Sequence, residues 1–227
     1  MTTDLLDNIM WHSLTGPQAA LSVGTRSARR LLRGFTAVLG FEDALHPDFD
    51  GLATYCEGNE HFYCVGWPGG VPPEWRIDAD APAYQMVWDL PSPAPDPEFE
   101  PLPLTIAHMP QMLALVSATE PGPFAERNLE LGEFIGLFDE GKLIAMAGQR
   151  MHAGVLREIS TVCTSDAYRG RGLGRRLIEQ LLRLQIERGQ VPFLHVLQNN
   201  VGAWRLYEHM GFRVARSMQL RVVSRRT

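Results

Sequence analysis

The 227-residue sequence predicts an α/β protein of the α+β kind: a mixed, mostly antiparallel central sheet flanked by helices, with a smaller N-terminal α+β region. Three observations carry the prediction. Residues 133–164 read as three strand-like runs parted by tight turns. Leu173, Leu177, Leu181 and Leu184 recur at helical spacing between charged residues. Two further strand-like runs, 191–197 and 212–223, enclose a helical stretch at 200–210. A meander followed by β-α-β-α-β is the simplest arrangement of these segments.

In chain order, Thr15 before Gly16-Pro17 is a helix-start signal, and it predicts a helix from about Pro17 to Leu32. Asp48 to Cys56 suits a short helix. His61–Val65 and Ala83–Trp88 suit strands bounded by Gly and Pro. Six prolines at 91, 93, 95, 97, 101 and 103 predict an extended linker, and the domain boundary is placed there. Met109–Ala118 then reads as a helix, and Thr119–Phe124 as a rigid loop. Glu133–Phe138 and Leu143–Met151 form a hairpin around Asp139-Glu140-Gly141-Lys142. Val155–Thr164 is the third meander strand, and Gly211 suits the end of the helix that begins at Asn200.

Composition narrows the function. Residues 1–150 hold 8 Lys/Arg against 21 Asp/Glu, and residues 151–227 hold 13 against 5. The basic part suits a ligand carrying several phosphate charges. The acidic part offers attraction to a cationic acceptor, although most of its carboxylates read as solvated surface. No Lys/Arg cluster interleaved with aromatics argues for nucleic acid, and no run has the length of a membrane span. Cys56, Cys64 and Cys163 are odd in number and lack C-x-x-C spacing, so reduced thiols in a cytoplasmic protein are expected. Cys163 reads as packing.

The informative stretch runs from Arg157 to Arg188. A strand leads into Arg169-Gly170-Arg171-Gly172-Leu173-Gly174, and a helix follows. Glycines permit a tight turn and close backbone approach, and unpaired amides with the helix dipole favour an anion. Arg169, Arg171 and Arg175 add charge. The spacing fits neither the P-loop nor the dinucleotide fingerprint. The Arg-x-x-Gly-x-Gly turn, followed by Asn200-Val-Gly-Ala203-Trp-Arg-Leu206-Tyr207-Glu-His-Met-Gly211-Phe212, resembles the GNAT (Gcn5-related N-acetyltransferase) superfamily, whose turn holds the pyrophosphate of acetyl-CoA and whose second block reads N-x-x-A-x-x-L-Y-x-x-x-G-F. The usual proline three residues before the turn's arginine is Asp166 here.

The resemblance covers about residues 100–227 and implies a GNAT domain there. Residues 1–95 are left as a region of unclear role, for which a degenerate GNAT-like half is a reading by analogy only. It implies acetyl-CoA as cosubstrate, an amine acceptor, no metal, and a cytoplasmic monomer or homodimer. Val162, Cys163 and Thr164 would meet the pantetheine arm and thioester, Arg169 through Arg175 the pyrophosphate, and Asn200 the arm, unless it merely caps its helix. Glu158, eleven residues before Arg169, matches one family position for the base, and His195, five residues before Asn200, matches another. A core histidine and an arginine-paired carboxylate are the ordinary alternatives. Tyr207 matches the general acid that meets the leaving thiolate. Trp11, Trp67, Trp75, Trp88, Trp204 and Met86 are candidates for an acceptor pocket. Transfer of another acyl group, and CoA binding without turnover, stay open beside N-acetyl transfer.

Overall fold

The computed structural model describes residues 2–58, 60–65 and 67–226. The chain runs α1 (Thr2–Asp7), α2 (Ile9–Thr15), β1 (Ser22–Gly24), β2 (Ala28–Leu31), β3 (Leu39–Phe41), α3 (Phe49–Leu52), β4 (Phe62–Val65), β5 (Trp75–Val87), β6 (Leu102–Pro103), α4 (Met109–Thr119), β7 (Phe134–Asp139), β8 (Lys142–Ala153), β9 (Leu156–Thr164), α5 (Leu173–Glu187), β10 (Val191–Leu197), α6 (Val201–Met210) and β11 (Arg213–Arg225). Eight strands form one sheet in the order β4-β11-β5-β10-β9-β8-β7-β6, and β1-β2-β3 form a small antiparallel sheet. Among the described residues, the β9–β10 pair of the large sheet is parallel and every other pair is antiparallel.

Alternation along the strands sorts side chains to two faces. In β8, Ala145 and Ala147 pack against Leu177, Leu181 and Leu182 of α5, while Met146 between them packs against Met112 and Leu115 of α4. The small alanines let α5 lie close, and its four fully buried apolar residues, Leu177, Ile178, Leu181 and Leu182, each contribute about 1.5–3 kcal/mol by leaving water. Helix α2 covers the α4 side, where Ile9 and Leu14 join Met151, Leu156 and Phe193. A further cluster, Phe49, Phe62, Trp67 and Trp75, closes the β4 end of the sheet.

Two expectations change. The helix predicted over residues 17–32 is instead a 3₁₀ turn at 19–21 followed by β1 and β2. Gly24 at φ 151° and the turn bond from Thr25 N to Ala28 O (2.7 Å) break any helix there, and the strands pair with each other and with β3. The proline-rich segment 90–103 does not divide the sheet. β4 and β5, which precede it, lie in the same sheet as the strands that follow, and β5 sits between β10 and β11, antiparallel to both. The segment instead lies along α5: Asp96 pairs with Arg176 at 2.8 Å, and Ala94 O accepts from Arg183 at 2.9 Å. Buried polar bonds hold the N-terminal region to the rest. Gln18 Nε2 donates to Arg150 O (2.6 Å), Thr36 N donates to Asn128 Oδ1 (2.9 Å), and Asn128 Nδ2 donates to Thr36 Oγ1 (2.6 Å).

Candidate active site

The site forms where two parallel strands part. β9 and β10 pair only through Leu156–Val191, Arg157–Pro192 and Glu158–Phe193, although β9 continues to Thr164 and β10 to Leu197. On the other side of β9, Met146 pairs with Cys163 and Gly148 with Ser160, so Thr161 and Val162 together face the single residue Ala147. This bulge holds Thr161 at φ 53°, a strained conformation for a β-branched residue, and it bends β9 away from β10. A cavity of about 360 Å³ occupies the opening. Val162, Asn200, Ala203 and Tyr207 line it towards the α5–α6 face, and Met10, Val38, Tyr63, Glu120, Arg150, Glu158 and His195 line it towards the α2–α4 face.

The glycine-rich turn lies at the end of β9. Gly170 and Gly172 adopt φ 75° and 74°, where a side chain would strain the backbone, and no atom lies within 4 Å of the position a Cβ would take. Helix α5 starts at Leu173 with no side-chain cap, and its first backbone bond is Arg176 N to Gly172 O (3.1 Å). The amides of residues 170–175 therefore face outward beside Val162 and Thr164, whose side-chain atoms lie 3.6 and 3.8 Å from the Cβ position of Gly174. The arginines of the turn rest on local partners: Arg169 on Asp166 (2.9 Å), Arg175 on Glu179 (2.8 Å), and Arg171 over the Tyr168 ring (4.8 Å). These exposed pairs are weak and can yield to a phosphate. Asp166, found in place of the expected proline, thus anchors Arg169. An open, uncapped helix start with this geometry fits a pyrophosphate.

Glu158 and His195 are brought together. β10 alternates so that Leu194 and Val196 pack towards α5 while His195 faces the α2 side, and Ile159 likewise packs towards α5 while Glu158 faces the opposite way. His195 Nδ1 lies 2.8 Å from Glu158 Oε1. Arg150 Nη2 donates to Oε1 at 2.7 Å, and Arg150 Nε and Met151 N donate to Oε2, each at 3.0 Å. Burial opposes the charge on Glu158, which is 1% exposed. The guanidinium of Arg150 and the hydrogen bonds from His195 and Arg150 outweigh burial and hold the carboxyl well below the usual carboxylate range. The raised pKa that a base near neutrality requires is therefore absent at Glu158.

Three other expected residues take definite places. Tyr207 is half-buried, its hydroxyl makes no hydrogen bond among the described residues, and burial pushes it up to about 12. Asn200 caps α6 by accepting from Ala203 N (3.2 Å), which leaves its amide nitrogen for another partner in the cavity. The thiol of Cys163 packs with Met146 and Leu115, and burial pushes it up to about 11, so only its backbone is placed to act. None of the five tryptophans, nor Met86, lines the cavity. Trp67 and Trp75 stack with Phe49, Trp88 with Phe212, and Trp204 with Tyr84. Sequence reasoning missed Arg150, Thr161 and Gln85. Gln85, the cross-strand partner of His195, places Nε2 3.0 Å from His195 Nε2.

This fold, with parallel strands parting beside a glycine-rich helix start, agrees with the acetyltransferase family that the sequence resembles, and comparison with known proteins supports it. Residues 134–222 match the FR47-like protein family. A crystal structure of a GNAT-family protein from Novosphingobium aromaticivorans superposes with a TM-score of 0.89 at 39% identity, covering 98% of this chain and 99% of that one. The chain belongs to the GNAT family of acetyltransferases. A GCN5-related N-acetyltransferase from Kribbella flavida shares the fold, with a TM-score of 0.65 at 16% identity over 96% of this chain and 95% of its own. The N-alpha-acetyltransferase RimI of Mycobacterium tuberculosis is 34% identical over 106 residues, 41% of this chain and 62% of its own. The mycothiol acetyltransferase of Corynebacterium efficiens is 36% identical over 80 residues, 35% of this chain and 27% of its own. The matched stretch thus spans less than two thirds of either curated relative.

Proposed function

We propose that this chain is an acetyl-CoA-dependent N-acetyltransferase that modifies the primary amine of a compact, largely apolar acceptor. The observation that carries the reading is the cavity through the parted strands, with the uncapped helix start on one side and the His195–Glu158 pair on the other. Acetyl-CoA supplies an activated acyl thioester. The amides from Gly170 to Arg175 bind its pyrophosphate, and the Arg169 amide is already donated to Asp166 O. The backbone of Val162, Cys163 and Thr164, with the amide nitrogen of Asn200, holds the arm.

His195 takes the proton from the acceptor amine, directly or through a water. Glu158 is its anchor: a buried carboxylate at Nδ1 fixes the ring and stabilises the charge that arrives. Tyr207 donates a hydrogen bond to the departing sulfur. With its hydroxyl near 12 against a thiol near 8.5, full transfer would be uphill by about 5 kcal/mol, so hydrogen bonding is the favoured role. Met10, Val38, Val65, Ala83, Met218 and Leu220 offer the acceptor an apolar wall, and exposed Glu120 at the lip offers attraction to its ammonium. The test is incubation with acetyl-CoA and a panel of small apolar amines, read by mass spectrometry. The N-acetylated amine is the expected product. CoA binding without an acetylated product from any amine would reduce the chain to a binding module, and acetylated hydroxyl compounds would point to O-transfer.

A further inference from the structure

Gln85 is completely buried on β5, a strand from the N-terminal region. Met86 beside it packs towards α5, so alternation turns Gln85 to the face that carries His195 and Glu158. Its Nε2 lies 3.0 Å from His195 Nε2, and its Oε1 is buried with no hydrogen-bond partner among the described residues. An amide nitrogen donates and cannot accept. His195 Nε2 therefore presents its lone pair, and the ring proton sits on Nδ1, donated to Glu158 Oε1 at 2.8 Å. Burying a carbonyl oxygen with nothing bound to it costs free energy, and packing alone gives no reason to keep it there.

We infer that Gln85 is a positioning residue that fixes the resting tautomer of His195 and then reverses its amide to follow the protonation of the ring. The inference rests on the reading of His195 as the base. In the resting state the amide nitrogen holds the Nε2 lone pair. For transfer, the amide swings aside, the N–H bond of the acceptor ammonium breaks, and an Nε2–H bond forms. The imidazolium would then face an amide N–H with its own N–H. A half-turn about the terminal torsion of Gln85 presents Oε1 as acceptor, and it breaks no other bond because Oε1 has none. The unpartnered oxygen is thus the acceptor needed by the second state. The charged and titratable groups around the ring are Glu158 from β9, Arg150 behind it from β8, and, elsewhere on the cavity wall, Tyr63 from β4, Glu120 after α4 and Tyr207 from α6. The N-terminal region on this account supplies part of the proton-handling machinery as well as a wall of the pocket.

The test is NMR titration of the full chain labelled at histidine, with His195 assigned among the seven histidines from the spectrum of His195→Gln. Neutral His195 in the wild type should show the tautomer protonated at Nδ1. Gln85→Glu, nearly isosteric, places a second carboxylate at Nε2 and should raise the midpoint of His195 by about one pH unit or more. Gln85→Met removes both the donor to the neutral ring and the acceptor for the charged one, and because the bond to the charged ring is the stronger the midpoint should fall. Midpoints that stay put in both variants, or move the same way in both, would overturn the inference, as would a resting tautomer protonated at Nε2. The acidic limb of kcat/KM should move with the midpoint. If the midpoints move as expected and that limb does not, the role of Gln85 stands and the assignment of His195 as base fails.

Discussion

Replacing Glu158 by Gln changes the shape of the site little and removes its one fully buried negative charge. Arg150, whose side chain is 13% exposed, then keeps its guanidinium without a counter-ion, and His195 loses the carboxylate at Nδ1. Glu158 is buried and Arg150 is largely shielded, so solvent screens the pair little. Removing one member of such a pair costs about 3–5 kcal/mol. For a chain of this length that corresponds to a fall in Tm of about 6–20 °C. Urea unfolding at pH 7 should show a lower midpoint with an unchanged slope, which marks lost stability and not a changed unfolded state. The effect also has a defined pH dependence. The carboxyl of Glu158 is held down in the folded chain, so its contribution is fully present above the unfolded value of about 4.3 and is lost as pH falls towards the folded one. The gap between wild type and Glu158→Gln should therefore shrink as pH falls below about 4. Replacing both partners with apolar residues, Glu158→Leu with Arg150→Met, should recover much of the loss. Equal urea midpoints for wild type and Glu158→Gln at pH 7 would refute the buried ion pair.

Gly172→Asp puts a carboxylate and a strained φ at the open start of α5, and calorimetry should show CoA binding abolished while circular dichroism shows the fold retained. Tyr207→Phe should lower kcat by about 10–10²-fold, with thermal stability and CoA affinity nearly unchanged, because the hydroxyl has no partner to lose. Since burial pushes Tyr207 up to about 12, its ionisation should add no basic limb to the rate profile below about pH 10, and a limb there that vanishes in the Phe variant would contradict that environment. Leu181→Ala, at a fully buried position of α5, should cost about 2–5 kcal/mol by urea unfolding.

The second half of the chain was legible because its signals are local. The strand at 191–197 is read to the residue, and α5 nearly so, since the Leu spacing that predicts the helix is the face that packs. The glycine-rich turn was likewise written in its glycines. What was not legible depends on partners far away in sequence. β1 and β2 are three and four residues long and gain their form from each other and from β3, so a helix-start signal before them misled. β5 takes its place only once β10 and β11 exist, more than a hundred residues on, and nothing in its own residues says that it will lie between them. Gln85 reads along the strand as an ordinary polar position. Its cross-strand register with His195 gives it meaning. Glu158 and His195 were rivals on the sequence, and the pleat makes them one unit. The bulge at Thr161 had no signal at all, because a β-branched residue is what a regular strand would carry there.

The measurement closest to the central claim is the release of CoA thiol from acetyl-CoA, followed continuously while small apolar primary amines are added to wild type and to His195→Ala. Wild type should release thiol in proportion to acceptor, with an acidic limb in kcat/KM. His195→Ala should bind acetyl-CoA as tightly and release thiol about 10²-fold more slowly, with that limb gone. Acceptor-dependent release that is unchanged in rate and pH profile in His195→Ala would contradict the account.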